Sequence, residues 1–145
     1  MPTSRVREYM TRDPVTLLPD ARLREAVELV MVRRIRHIPI VDGAMTLVGI
    51  VTDRDVKRSL PSPLSVIAAE EYETILESTP VSRVMTREPA TIAADALVAD
   101  AVELLLTAKI GGLPVLDGGR LVGMFTERDA LRHYLELLRG PASGS

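Results

Sequence analysis

Two segments of the chain combine residue types that could grip a ligand: Gly49-Ile50-Val51-Thr52-Asp53-Arg54-Asp55 and Gly123-Met124-Phe125-Thr126-Glu127-Arg128-Asp129. In each, a hydroxyl precedes a carboxylate by three residues, where an apolar run gives way to a helical pattern. A helix N-terminus presents unpaired N–H groups and a partial positive charge, so a phosphate placed there finds donors. A threonine hydroxyl at the first turn adds one more, and a carboxylate three residues on can accept both hydrogens of a ribose diol. The glycine leaves room for a ligand to approach the backbone. Arg54 and Arg128 fall in the first turn, where the helix dipole disfavours cations, and that position suits an anionic neighbour. The same Thr-x-x-Asp spacing is also a capping box, in which the two side chains satisfy only the helix's own donors. The spacing alone leaves both readings open.

Other chemistries are poorly supplied. Cysteine is absent, which removes disulfides, thiolate metal sites and thiol nucleophiles. The two histidines, His37 and His133, lie far apart and form no H-x-x-x-H pattern, so no zinc site is expected. No Ser-His-Asp set and no carboxylate pair is brought together by the sequence, and the chain is read as a non-enzyme that requires no cofactor. Eighteen basic against 20 acidic residues give a net charge of −2, with no single-sign run to follow a phosphate backbone, and aromatics are only 3%, too few for base stacking. Nucleic acid is therefore not an expected partner. No apolar run approaches the ~18 residues of a membrane span, and the start MPTSRVREYMTRDP lacks a signal-peptide core, so the expectation is a cytoplasmic protein with no membrane partner.

The elements that would position the two motifs come from an internal repeat. Shifted by 75 residues, Met10-Thr11-Arg12 falls on Met85-Thr86-Arg87, Ala26-Val27-Glu28-Leu29 on Ala101-Val102-Glu103-Leu104, Pro39 on Pro114, and Asp42-Gly43 on Asp117-Gly118. One extra residue within Ala44–Thr46 changes the offset to 74, after which Thr52 and Asp55 meet Thr126 and Asp129. Each copy reads β-α-β-β-α. A short strand near Thr16–Leu18 precedes an N-cap at Asp20 and a helix with Leu23, Val27, Val30 and Met31 on its apolar stripe; Asp95, Val98, Val102, Leu105 and Leu106 repeat that arrangement. Strands Ile38–Val41 and Leu47–Val51 flank an Asp-Gly turn, as do Leu113–Leu116 and Leu121–Phe125. The last helices run from Asp53 to about Ser59 and from Glu127 to about Leu138. The fold class is α/β: repeat 1 over 1–59, a connector over 60–80 with helical spacing from Leu64 to Ser78, repeat 2 over 81–138, and a tail over 139–145 expected to be disordered.

These duplicated units, with Met-Thr-x-x-Pro at the start, an apolar run around Pro39 or Pro114 ending in Asp, and Gly-x-x-Thr-[Asp/Glu]-Arg-Asp at the end, resemble a tandem pair of CBS (cystathionine-β-synthase) domains, the Bateman module. The resemblance covers residues 6–138 and implies two repeats packed sheet to sheet with pseudo-twofold symmetry, forming clefts that take AMP, ADP or ATP, or else S-adenosylmethionine or NAD. It implies that Asp55 and Asp129 hold ribose and that Thr52 and Thr126 line the phosphate side. Thr16 and Leu17, Thr91 and Ile92, together with His37, Ile38 and Pro39 or Gly112, Leu113 and Pro114, would flank adenine. Arg36 and His37 stand where the second copy has Gly111 and Gly112, so the first site is expected to bind anions more tightly. Arg34 and Arg36 also read simply as a solvated helix end.

What the resemblance implies is regulation of a partner protein that the residues do not identify. A structural dimerisation scaffold with vestigial clefts is the alternative. A homodimer is expected in either case: Ala130, Leu131, Tyr134, Leu135 and Leu138 make the last helix of copy two apolar on one side, against only Val56 and Leu60 in copy one.

Overall fold

The computed structural model describes residues 3–62 and 66–140. Its elements, in order, are α1 (Val6–Tyr9), β1 (Thr11–Arg12), α2 (Leu23–Met31), β2 (His37–Val41), β3 (Leu47–Thr52), α3 (Asp53–Ser59) and α4 (Ala69–Ser78). A 3-10 turn at Val81–Arg83 leads to β4 (Thr86–Arg87), β5 (Ile92–Ala93), α5 (Val98–Ala108), β6 (Gly112–Asp117), β7 (Arg120–Thr126) and α6 (Glu127–Arg139). They form two compact units that are offset from the sequence repeats: a continuous unit, Val15–Pro89, and a split unit made of the residues up to Pro14 together with those from Ala90 onward.

In the continuous unit a three-stranded antiparallel sheet has the order β2-β3-β4, and Leu17 bridges in parallel to Ile40 on the outer side of β2. In the split unit the order is β1-β7-β6-β5, with β5 parallel to β6 and the other pairs antiparallel. Met-Thr-Arg segments that match in the repeat are thus exchanged. The arm of copy one, β1, pairs with β7 of copy two, and the arm of copy two, β4, pairs with β3 of copy one.

Each sheet is half-buried by helices. Ala26, Leu29 and Val30 of α2 meet Ile38, Ile40, Val51, Val56 and Val81 in one core; Val98, Ala101 and Leu105 of α5 meet Val6, Leu113, Val115 and Phe125 in the other. Val6 and Val81, equivalent in the repeat, are both fully buried, and each such aliphatic side chain contributes about 1.5–3 kcal/mol by leaving water. Of the expected stripes, Leu23, Val30, Val98 and Leu105 are buried, Val27 and Val102 half-buried, and Met31 and Leu106 exposed, while Ala26 and Leu29 take further inward positions. Asp20 and Asp95 do not cap, because the helices begin later, after Arg22 and Leu97 in extended conformation. Glu25 instead reaches back to the Arg22 N–H at 2.9 Å.

The indel inferred from the repeat lies in the first hairpin. There Asp42 Oδ1 accepts from the N–H groups of Ala44 and Thr46, both at 2.9 Å, and holds a loop in which Met45 is left-handed. These donors hold the Asp42 carboxyl below its ordinary value. The second hairpin turns on Gly118 and Gly119, both at positive φ, the two-residue turn that matches strand twist. The connector is helical only from Ala69, so Ile67 and Ala68 precede the helix, and Leu64 lies outside the described residues. α4 packs on α2, where Arg24 pairs with Glu73 and Glu77. Of the tail, Arg139 ends α6 and Gly140 caps it, and 141–145 lie outside the described residues.

Candidate functional site

The continuous unit gathers every residue that the first copy was expected to contribute. His37 stands opposite Thr52 in the β2–β3 register, the Asp53 N–H donates to the Arg36 carbonyl at 3.1 Å, and the Leu17 N–H donates to the Pro39 carbonyl at 3.2 Å. The strand start, the strand end and the helix start are therefore adjacent. Ile38 is fully buried within the core and Pro39 is buried beside it, so these positions offer a ligand backbone and no side chain. Thr16, Leu17, His37 and Thr52 are half-buried, and Arg36 and Arg54 are exposed.

The split unit repeats the arrangement. Gly112 faces Thr126 in register, the Glu127 N–H donates to the Gly111 carbonyl at 3.0 Å, and Ile92, next to Thr91, pairs with Val115 one residue beyond Pro114. Leu113 is fully buried in the core, Thr91 and Ile92 are half-buried, and Arg128 is exposed.

Both Thr-x-x-Asp motifs form complete capping boxes. The Thr52 N–H donates to Asp55 Oδ2 at 2.9 Å, the Thr52 hydroxyl lies 3.1 Å from the same oxygen, and that hydroxyl accepts from the Asp55 N–H at 3.2 Å. The Thr126 N–H and hydroxyl approach Asp129 Oδ2 at 2.9 and 3.1 Å, and the hydroxyl accepts from the Asp129 N–H at 3.4 Å. The capping reading and the binding reading are compatible, because capping occupies one carboxylate oxygen and leaves the other. Asp55 is 9% exposed and Asp129 1%, so each carboxylate is a fixed acceptor held in a largely desolvated place.

Three further residues touch these carboxylates, all of them outside the two Gly-x-x-Thr-x-x-Asp motifs. The Thr86 hydroxyl lies 3.4 Å from both Asp55 oxygens, and the Thr11 hydroxyl lies 3.1 Å from Asp129 Oδ1. The repeated Met-Thr-Arg was a visible signal for both, but nothing local to it says that the arm crosses to the other copy's sheet. Arg132 donates from Nη2 to Asp129 Oδ1 at 2.6 Å.

The two glycines also have a different occupant from the one expected. A methyl group added to Gly49 would stand 2.6 Å from Met85 Sδ and 2.9 Å from the Thr86 carbonyl, and one on Gly123 would stand 2.7 Å from the Thr11 carbonyl. The space above each glycine is filled by the exchanged arm. Among the described residues no group of His, Cys, Asp and Glu could hold a metal ion, and no helix is long and apolar enough to cross a membrane.

With two such units on one chain, comparison with known proteins is decisive. A family model for the CBS domain matches residues 6–62 and again 81–136. The chain belongs to the CBS domain family. This CBS pair is 34% identical over 134 residues to a CBS domain-containing protein of Dictyostelium discoideum, covering 92% of each. It is 37% identical over 125 residues to inosine-5′-monophosphate dehydrogenase of Mycobacterium leprae, which is 85% of this chain but 21% of the enzyme, so the chain spans about a fifth of that relative and resembles its CBS region alone. Among solved structures, CBSX2 of Arabidopsis thaliana in complex with AMP is similar with a TM-score of 0.77 at 28% identity, covering 93% of this chain and 98% of that one. The CBS domain pair of MJ0100, in complex with 5′-methylthioadenosine and S-adenosyl-L-methionine, has a TM-score of 0.73 at 26% identity, covering 92% and 97%.

Proposed function

We propose that this CBS pair is a non-catalytic regulatory module that binds an adenine nucleotide of the AMP, ADP or ATP class at its Thr-x-x-Asp sites and acts on a partner protein. The observation that carries the reading is the pair of buried carboxylates, each fixed through Oδ2 by a capping box, so that Oδ1 is the oxygen a ribose diol would use. The backbone at Leu17 and Pro39, and at Ile92 and Pro114, borders adenine. Exposed Arg36 and Arg54 reach phosphate in the continuous unit, where Gly111 and Gly112 of the split unit offer no charge. The AMP held by CBSX2 and the adenosyl compounds held by MJ0100 support an adenosine-shaped ligand.

Titration calorimetry with AMP, ADP, ATP, NAD and S-adenosylmethionine tests the reading. A ligand at ~100 times its Kd stabilises the native state by about 2.7 kcal/mol, which a melting scan reads directly. Asp55→Ala should remove the tighter step and Asp129→Ala the weaker. Absence of both heat and melting shift at millimolar concentration for every adenosine compound refutes it and leaves the scaffold reading, which the internally satisfied capping boxes favour.

The scaffold role also stands beside ligand binding. A groove of about 770 Å³ runs between α5 and α6 of the split unit, lined by Val98, Val102, Leu106, Leu131, Tyr134 and Leu137. It does not include Thr126 or Asp129. Its occupant in this reading is a second copy of the chain: Leu131, Tyr134, Leu135 and Leu138 on α6 are exposed, and a twofold axis lets one such face cover itself. The equivalent helix of the continuous unit, α2, already carries α4 through Arg24, and the residue matching Arg24 in α5 is Ala99, which lines the groove.

A further inference from the structure

We infer that Arg132 is a latch on the split-unit site, setting its affinity for a ribose diol by covering the one Asp129 oxygen that the capping box leaves. The inference rests on the binding reading above and goes beyond it, because it concerns a residue outside the shared motif. Asp129 Oδ2 is taken by the Thr126 N–H and hydroxyl, so a ligand hydroxyl must bond to Oδ1. Oδ1 already receives the Arg132 guanidinium at 2.6 Å and the Thr11 hydroxyl at 3.1 Å. A charge-assisted bond of that length to a carboxylate whose side chain is 2% exposed is among the stronger contacts a side chain makes. The same Nη2 also donates to the Tyr9 carbonyl at 3.1 Å. Tyr9 is itself tied to α6: its hydroxyl donates to Glu136 Oε2 at 2.7 Å and its ring meets His133 edge-on at 4.4 Å between centroids.

The continuous unit carries the same residue without the latch. Arg58 is the repeat equivalent of Arg132, yet among the described residues it makes no bond to Asp55 like that of Arg132 to Asp129, and Asp55 Oδ1 lies 3.4 Å from the Thr86 hydroxyl. The reasons are local. α3 stops one residue after Arg58, and the position matching Tyr9 is Val84, which has no hydroxyl to tie the short turn down. One carboxylate is therefore open to a diol and the other is closed by the protein's own cation. A ligand at the split unit has to displace the guanidinium, whereas a ligand at the continuous unit does not.

The test is two-site calorimetry with AMP on the wild-type chain, Arg132→Met and the matched control Arg58→Met. Met keeps the apolar stem and removes the donor, and Arg132 lies on the surface, so the variant is expected to fold; Arg132→Lys, which keeps the charge on a shorter side chain, is the second variant. The weaker step should tighten by roughly tenfold or more in Arg132→Met, given the worth of a charge-assisted bond, and by less in Arg132→Lys, while Arg58→Met leaves both steps unchanged. 2′,3′-Dideoxyadenosine monophosphate, which has no diol to offer Oδ1, should show no gain, which a general change in fold or charge would not reproduce. A weaker step that is unchanged or loosened by Arg132→Met overturns the latch while leaving the binding reading intact. No AMP binding by any of the chains overturns both.

Discussion

Gly123→Ala is the substitution whose effect the structure specifies most closely. Gly123 lies within β7, buried, opposite Arg12 on one side and Val115 on the other. Its φ is not in the left-handed region, so glycine is needed there for space alone. The added methyl would stand 2.8 Å from Met10 Sδ and 2.7 Å from the Thr11 carbonyl. A thioether can swing aside, but the carbonyl belongs to backbone paired with β7 itself. Ordinary contact distances begin near 3.5 Å, so β1 has to lift by roughly half an ångström or more. Overpacking of this kind costs about 1–3 kcal/mol, against which alanine recovers about 0.5–1 kcal/mol of backbone entropy relative to glycine. The net expectation is a loss centred on about 1 kcal/mol, or roughly 2–4 °C in Tm for a chain of this size. Urea unfolding measures it, with Gly43→Ala as control, since nothing lies within 4 Å of a methyl placed there. The arm would also pull the Thr11 hydroxyl away from Asp129, so the same variant should alter the weaker step of nucleotide binding. A Gly123→Ala chain as stable as the Gly43→Ala chain would refute the claim that the glycine exists for the arm.

Three further outcomes follow from other parts of the chain. Lys109 ends α5 in the left-handed conformation at φ 55°, where a side chain costs roughly 1 kcal/mol, so Lys109→Gly should raise the urea midpoint without changing the slope. The Asp42 carboxyl, held down by the N–H groups of Thr46 and Ala44, should titrate below the ordinary carboxylate value of about 3.9 by NMR. Because its folded value is depressed, its contribution to stability is present above the unfolded value and is lost as pH falls through the folded one; Asp42→Ala should erase that acid-side dependence. Leu131→Glu with Leu135→Glu alters side chains that are 66% and 44% exposed, so it should leave the melting of the split unit nearly unchanged and convert a particle of about twice 15.9 kDa into one of 15.9 kDa by light scattering.

The repeat made most of the elements readable, because the same pattern appears twice and each copy checks the other. The hairpin strands, the helix starts at Asp53 and Glu127 and even the site of the indel all follow from local chemistry: apolar alternation, capping pairs and turn residues. What was not legible is what depends on long-range pairing. Thr11 and Thr86 stand in identical Met-Thr-Arg segments, yet the residues say nothing of β1 joining β7 and β4 joining β3. The same gap misdirected the glycines: Gly49 and Gly123 signal a close approach, but a sequence cannot say whether ligand or backbone arrives. The helix stripes are right at Leu23, Val30, Val98 and Leu105 and differ at one edge. Small Ala26 and Ala101 lie fully buried under the sheets, while larger Met31 and Leu106 at the stripes' ends face outward.

The arm exchange bears on why both copies keep an intact Thr-x-x-Asp. Asp55 accepts a hydroxyl from Thr86, in the opening segment of copy two, and Asp129 accepts one from Thr11, in the opening segment of copy one. Neither carboxylate is therefore furnished by its own repeat alone, and neither sheet has its full set of strands without the other repeat's arm. Under the proposed binding, a ligand hydroxyl at either carboxylate would compete for an oxygen that the arm's threonine contacts. Each arm is only two residues of strand, held by a threonine hydroxyl, a methionine side chain and a glycine-sized gap, which makes it a small element that a ligand of modest affinity can bias. Duplication followed by exchange of arms thus leaves each sheet completed by the first segment of the neighbouring repeat, so the carboxylate of one copy and the opening strand of the other are parts of one unit.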